Sequence, residues 1–580
     1  MFGEAGQNNR KSRRIDFLFL ALVIAVSISV YLNALGDGLV YDDRVQLVGN
    51  PMIRSLGNIP RFFTSDVWGF YNGGLLGHSN YYRPVMHTVN ALLYHFAGLS
   101  PWPYHAVNIL FHAGNSALVF LMALFLSGEP VTALAAGLLF AAHPIHTEAV
   151  TWVAGNPDVT FTFFYLLSVY AYIRWKSTLL PAAFFLPAVL CKEPGVTLPA
   201  VIFLYDFAKG DFSAFSIRKP FAFAAGLLRR YYPYLLVLVV YFGLRMYALG
   251  GQFAPAKAHA GLSAFQYFIN VFPLFVKYMW KLLLPINLNA SYQFIPALSF
   301  FDAKVLASVL ITAVLAAALL FSRKKAPDIF FSFCLIVVPL LPALYIPGVG
   351  ENTFTERYLY MPSAGFALIA AFALGRLRLK GRSTAALAWT ALAAITLLYS
   401  AGTFMRNPVW KSDYSLWTDT VRKSPEDPLT LFNLANAYAD AGQPDRAIEV
   451  YKKVLEIKPG FVAAYNNLGG TYESRGMYDE AIKVYLDALG IDSRIPQLHG
   501  NLALAYMKVG KLDAAIGELR TLLQIIPSAD AYYYLGNALY KKGQTEEAMR
   551  SYQSALRIDP GYSKARHMIA SLYREQMRGR

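Results

Sequence analysis

The sequence predicts an all-α chain in two parts: a polytopic membrane domain of about eleven transmembrane helices, then a soluble solenoid of helix pairs. Three observations predict it. Hydrophobic residues make up 56% of the 580 residues and charged residues only 15%, where a soluble domain carries about 25% charged residues. The shortage is confined to residues 17–404, which hold run after run of membrane-spanning length. Beyond residue 428 the composition turns polar and a repeat of about 34 residues sets in.

Residues 1–16 form a basic tail, and Phe17–Leu35 follows as the first apolar run. A signal peptide would have a shorter apolar core and an A-x-A-like site after it. This run is long enough to cross about 30 Å of hydrocarbon, so it reads as an uncleaved first helix. Further runs lie at 103–127, 130–149, 158–175, 178–191, 194–208, 231–249, 302–321, 328–346, 360–376 and 384–404. Pro181, Pro187, Pro194 and Pro199 interrupt two short ones. Irregular backbone at membrane depth is tolerated where protein or water surrounds it, which points to a cavity nearby or to a poorly defined hairpin.

The net charge is +16, from 52 basic and 36 acidic residues. The basic residues do not form a nucleic-acid face. They fall between apolar runs, at Arg10, Lys11, Arg13 and Arg14; Arg218, Lys219, Arg229 and Arg230; Arg323, Lys324 and Lys325; and Arg376, Arg378, Lys380 and Arg382. That is the pattern of cytoplasmic loops facing anionic lipid. Parity then places the 36–102 loop and the end of the chain together on the opposite side. The 265–284 segment, with Lys277 and Lys281 among its aromatics, is left to lie in the interface without crossing. Cys191 and Cys334 are too few and too distant for a disulfide framework.

The repeat is legible in several registers. Leu434, Leu468, Leu502 and Leu535 keep one step; so do Gly442, Gly476, Gly510 and Gly543, and Ala447, Ala481, Ala515 and Ala548. Tyr451, Tyr485 and Tyr552 share another, and Pro459, Pro527 and Pro560 close three units. This is the tetratricopeptide (TPR) pattern. Four repeats fill 428–560, a linker with a degenerate half-repeat occupies 405–427, and 561–580 reads as a capping helix. Asn433, Asn466, Asn467, Asn501 and Asn537 lie on first helices, which line the concave groove of such arrays. Their amides are placed either to bond a peptide acceptor or simply to meet solvent.

Four polar clusters interrupt the membrane part, all on the outer face by parity. Asp42 and Asp43 follow the first helix; one of such a pair can accept a hydroxyl proton, or both can be solvated cap residues. Arg83, within Tyr81-Tyr82-Arg83-Pro84, suits a phosphate or a lipid headgroup. His143, His146 and Glu148, with Asp158 beyond them, do not have zinc-protease spacing and read as polar cavity lining rather than metal ligands. Lys192-Glu193 and Glu356-Arg357 sit at helix boundaries, where Lys192 and Arg357 can neutralise phosphate and Glu193 and Glu356 can pair with them.

Tyr41-Asp42-Asp43 with Asn50-Pro51, Tyr82-Arg83-Pro84, His143-Pro144-Ile145-His146-Thr147-Glu148-Ala149-Val150, Lys192-Glu193, Glu356-Arg357-x-Leu359-Tyr360-x-Pro362-Ser363 and Arg406-Asn407-x-x-Trp410 occur in this order before the repeats. The chain resembles the transmembrane-and-TPR protein O-mannosyltransferases (TMTC proteins) of the GT-C glycosyltransferase superfamily. The resemblance implies a GT-C-type membrane domain and a polyprenyl-phosphate sugar donor. It implies inverting transfer of mannose or another hexose to Ser/Thr hydroxyls of exported proteins. Asp42 would be the general base with Asp43 beside it, and Arg357, Arg83 and Lys192 would hold the donor phosphate. No cofactor and no metal is implied. Four full repeats, and Asn156-Pro157-Asp158 where animal members are expected to have Arg-Ala-Asp, point to a prokaryotic member in the cytoplasmic membrane. Its N-terminus would be cytoplasmic and its array periplasmic. Two other functions fit parts of the sequence. A membrane-anchored TPR scaffold would account for the repeats, and a lipid-linked sugar flippase or polymerase for the spans.

Overall fold

The structure is a computed structural model and describes residues 2–70, 81–210, 220–251, 261–348, 353–378 and 381–578. Arg218, Lys219 and Lys380 of the basic loops, and residues 71–80 of the outer loop, lie outside the described residues. The chain divides into two compact units, Met1–Leu416 and Trp417–Arg580. Among the described residues the regular elements are all helical.

In the first unit each of the eleven apolar runs carries a helix. Among the described residues six helices are long and apolar enough to cross a membrane: Arg14–Gly36, Pro101–Ser127, Ala224–Ala248, Ala303–Lys325, Pro327–Leu344 and Arg382–Trp410. The chain is thus a multi-pass membrane protein. Fewer runs meet that measure than the eleven expected, because several are cut short. Pro130–Ala142, Leu179–Cys191 and Leu198–Lys209 hold 13, 13 and 12 residues. Of these, Pro130–Ala142 is wrapped by other helices and buried over nearly its whole length. It packs against Pro101–Ser127, which in turn packs against Asn156–Trp175. A helix enclosed by protein need not match the lipid thickness, and the breaks that end it open space for polar groups.

Ala264–Leu283 is a helix, opened by a capping box in which Ser263 and Gln266 bond each other's backbone N–H. Its inner face buries Ile269, Leu274, Phe275 and Tyr278, while Phe265, Phe268 and Trp280 are exposed. Asn270 is buried but satisfied: its amide donates to Ala297 O and accepts from Ala297 N, both at 2.9 Å. The helix is not one of the six spans, and a two-faced helix edged with aromatics and lysines suits the membrane interface.

The second unit is four helix pairs from Pro428–Asp440 to Thr545–Ile558, followed by Ser563–Arg578. The periodic residues have distinct tasks. Gly442, Gly476, Gly510 and Gly543 take φ of 70° to 85° at the turn inside each pair, a backbone conformation that a side chain would strain. Ala447, Ala481, Ala515 and Ala548 are fully buried where second helices approach their neighbours. The rings of Tyr485 and Tyr552 lie directly over Gly469 and Gly536.

Candidate active site

The site is assembled at four breaks in the apolar helices: the turn at 40–43, the segment between Ala142 and Asn156, the break at Lys192–Thr197, and the stretch from Thr353 to Met361. Three ion pairs anchor the last three of these breaks. Arg357 Nη1 pairs with Glu148 Oε1, and the Arg357 N–H donates to Glu148 Oε2 at 3.0 Å. Arg83 donates from Nη2 and Nε to Glu193 Oε2 at 2.9 and 3.2 Å. Lys192 Nζ pairs with Asp158 Oδ1 in an almost fully buried contact. Arg357 and Glu148 come from two of the breaks, Lys192 reaches Asp158 at the start of the Asn156–Trp175 helix, and Glu193 reaches Arg83 just before the Pro84–Ala97 helix, so the pairs fix relative positions across long sequence distances.

Aromatic rings frame the cations. The Arg357 guanidinium lies 5.3 Å from the Trp152 ring centre and 5.5 Å from that of Tyr358. Tyr358 also carries Lys192 Nζ at 4.9 Å, and Tyr81 carries Arg83 at 4.6 Å. The Arg357 side chain retains 25% of its exposure and that of Arg83 18%. Both guanidiniums therefore keep donors available to a second anion while one edge is anchored, an arrangement suited to phosphate. Burial pulls the Lys192 ammonium down to about 8, although Asp158 beside it opposes the shift. Burial pushes Glu193 up, yet Arg83 outweighs this and holds it below the ordinary range.

The two adjacent acids differ. Asp43 is fully buried; its Oδ2 accepts the Val40 N–H at 2.9 Å and its Oδ1 the Ala154 N–H at 2.7 Å. It clasps the 40–43 turn to the 152–154 segment. Asp42 is half-buried and its carboxylate accepts no hydrogen bond from any described residue. Burial pushes its carboxyl up to about 6, with Arg357 and then Arg83 drawing it back. A carboxylate that no described residue engages, shifted up to about 6 and within the field of two arginines, can accept a proton. Neither acid is a solvated cap residue: Asp43 is a backbone clasp, and Asp42 is the one without a hydrogen bond from a described residue.

Glu356 is turned away from Arg357. It is fully buried and accepts from Tyr292 Oη at 2.6 Å, from the Asn289 N–H at 2.5 Å and from Arg406 Nη2 at 3.1 Å. Arg406 also donates to Thr147 Oγ1 at 3.0 Å and Leu288 O at 2.7 Å. His143 and His146 differ from the expected cavity lining. His143 Nδ1 accepts from the Ile145 N–H at 3.2 Å, so its Nε2 donates to Leu282 O at 3.0 Å. His146 Nε2 bonds Ser363 Oγ at 2.6 Å among the rings of Phe140, Tyr360 and His112. Both are fully enclosed and act as core links. Among the described residues no three His, Cys, Asp or Glu side chains form a metal-like group.

In the repeats, the asparagines form a row along successive first helices. Asn501 Nδ2 donates to Asn466 Oδ1 at 2.9 Å, Asn466 Nδ2 to Asn467 Oδ1 at 3.1 Å, and Asn467 Nδ2 to Asn436 Oδ1 at 2.8 Å. The periodicity does not point to Asn436, whose spacing to Asn467 breaks the 34-residue step. Asn537 stands apart, accepting the Tyr552 hydroxyl at 2.8 Å, which makes it part of the seam. Asn433 Nδ2 is buried and has no hydrogen-bond partner among the described residues.

Fold and site together define an all-α, multi-pass membrane protein that carries a TPR solenoid. Tetratricopeptide repeat family models match residues 416–460, 432–494 and 529–562. Over about three quarters of its length, the chain is similar to protein O-mannosyl-transferases. Protein O-mannosyl-transferase TMTC3 of Homo sapiens is 27% identical over 497 residues, covering 78% of this chain and 53% of that protein. Protein O-mannosyl-transferase F38B6.6 of Caenorhabditis elegans is 27% identical over 471 residues, covering 78% of this chain and 64% of that protein. The chain thus spans about half the length of the first of these relatives. Among solved structures, the crystal structure of MamA is 27% identical and covers 26% of this chain and 88% of that one, with a TM-score of 0.25.

Proposed function

We propose that the protein is a GT-C-type inverting O-glycosyltransferase. It would move mannose or another hexose from a polyprenyl-phosphate carrier to Ser/Thr hydroxyls of exported proteins. The observation that carries this reading is the free carboxylate of Asp42 in the field of Arg357 and Arg83, each arginine anchored by an acid yet partly open. The kinship with named O-mannosyltransferases supports it.

The chemistry is a single displacement. The acceptor oxygen attacks the anomeric carbon as Asp42 takes the hydroxyl proton. The bond from that carbon to the phosphate oxygen breaks, and its electron pair leaves with the lipid phosphate. Arg357, Arg83 and Lys192 are the groups suited to neutralise the charge that develops there. The TPR array would hold the protein acceptor, with the linked asparagines offering amides to an extended chain. The positive-inside pattern favours a cytoplasmic N-terminus and an array outside the cytoplasm.

Asp42→Asn tests the reading. In membranes supplied with a polyprenyl-phosphate mannose and a Ser/Thr peptide, it should abolish transfer while the protein still inserts and accumulates. Undiminished transfer would remove Asp42 from the chemistry. A cysteine placed in the 376–382 loop should be shielded from an impermeant thiol reagent in intact cells, and labelling there would invert the orientation.

A further inference from the structure

Asp42 makes no hydrogen bond of its own with a described residue, so its backbone must aim it. On the C-terminal side that task falls to Asp43, through the N–H groups of Val40 and Ala154. On the N-terminal side it falls to a segment more than 360 residues away in sequence. The stretch from Phe404 to Asp413 runs beside residues 30–44. Asn33 Nδ2 donates to Phe404 O at 2.9 Å, Asn407 Nδ2 to Val30 O at 2.8 Å, and the Gly38 N–H to Lys411 O at 3.1 Å. At the end of this strap, Asp413 Oδ1 accepts the Tyr41 N–H at 2.7 Å, and Asp413 Oδ2 pairs with Arg44 Nε at 2.8 Å.

Tyr41 and Arg44 bracket the Asp42-Asp43 pair. Tyr41 has φ of 54°, a left-handed conformation that a bulky residue keeps only when its surroundings hold it. Its ring lies 5.9 Å from that of Trp152, which stacks on Trp410 of the strap at 5.5 Å and 20°. The Trp152 indole N–H donates to Val40 O at 3.3 Å. The turn that presents Asp42 is therefore gripped from the strap by a side-chain carboxylate and an aromatic stack.

We propose that Asp413 is a positioning residue for transfer: through the Tyr41 N–H and Arg44 it holds the left-handed turn that aims the Asp42 carboxylate, without touching either substrate. This rests on the reading of Asp42 as the base. A base displaced by about 1 Å loses rate on the order of a hundredfold, while binding remote from it is spared. An asparagine at 413 would retain a side-chain oxygen to accept the Tyr41 N–H; an alanine would not.

The test uses the full-length protein in membranes, with a polyprenyl-phosphate mannose as donor and a Ser/Thr peptide as acceptor. Asp42→Asn serves as the reference. Asp413→Ala should lower kcat by about tenfold to a hundredfold, with the donor KM unchanged. Asp413→Asn should restore most of that loss. An unchanged kcat in Asp413→Ala, with Asp42→Asn inactive, overturns the positioning role and leaves the base assignment standing. Equal losses in the alanine and asparagine variants, with a lowered unfolding temperature in both, would reduce Asp413 to a structural strap and overturn it too. Transfer that survives Asp42→Asn removes the parent reading, and the proposal falls with it.

Discussion

Arg357 binds the Glu148 carboxylate twice, once through its guanidinium and once through its own backbone N–H. A single carboxylate thus sets both where the Arg357 backbone runs and which way its side chain points. It leaves the outer edge of the guanidinium facing Trp152 and Tyr358. Glu148→Gln keeps the size and one acceptor but removes the charge. We expect the donor KM to rise by about tenfold or more, equivalent to about 1.4 kcal/mol of lost binding, with kcat changed less. Initial rates against donor concentration check this; an unchanged KM would detach Arg357 from donor binding.

The pH profile of transfer follows from Asp42. Its carboxyl titrates at about 6 because burial outweighs the pull of Arg357 and Arg83. A base must be deprotonated, so the rate should climb through pH 6, by about tenfold from pH 5 to pH 7. The sign for stability is opposite. A carboxyl whose folded pKa lies above its unfolded one binds its proton more tightly in the fold. Its contribution is present at low pH and is lost as pH rises through 6. A transfer rate that is flat from pH 5 to pH 7 would contradict the assignment. Asp42→Asn should also flatten the corresponding slope in thermal stability.

Much of the architecture was legible because it rests on local periodicity. Gly442, Gly476, Gly510 and Gly543 recur because each repeat needs the same left-handed turn, and the apolar runs recur because helices in lipid need continuous hydrophobicity. The candidate site was legible only as an inventory. Asp42 and Asp43 are chemically identical neighbours, and what separates them is an N–H on Ala154, 111 residues away. Glu356 looked like the partner of adjacent Arg357, yet it pairs with Arg406, while Arg357 reaches back to Glu148. His143 and His146 resembled cavity lining because the carbonyl of Leu282 and the hydroxyl of Ser363 that occupy them come from distant helices. Asp413 had no signal, since a lone acid at a helix start is commonplace.

The buried Lys192–Asp158 pair separates folding from chemistry. Removing one member strands a charge, which costs about 3–5 kcal/mol. Lys192→Met and Asp158→Asn should each lower the unfolding temperature in detergent. The double variant strands nothing and should recover most of that stability. If Lys192 also meets the donor phosphate, the double variant stays impaired in transfer despite its recovered fold. Recovery of both together would make the pair purely structural.

In the array, Gly469 and Gly536 are required by packing rather than by backbone conformation. A Cβ at Gly469 would lie 2.3 Å from Cε1 of Tyr485, and one at Gly536 would lie 2.5 Å from Cε1 of Tyr552. Both rings are buried, at 1% and 0% exposure, and each hydroxyl is bonded, Tyr485 to Glu473 Oε1 at 2.9 Å and Tyr552 to Asn537 Oδ1 at 2.8 Å. Neither ring can yield without breaking its hydrogen bond and opening the seam. Gly469→Ala and Gly536→Ala should each cost about 1–3 kcal/mol, whereas alanine at Gly517, where nothing lies within 4 Å, should gain about 0.5–1 kcal/mol through helix propensity. Repeats transmit stability only to neighbours, so hydrogen exchange should quicken around the altered pair and remain slow in the membrane unit. Protection lost evenly across the chain would show that the array does not unfold as a separate unit.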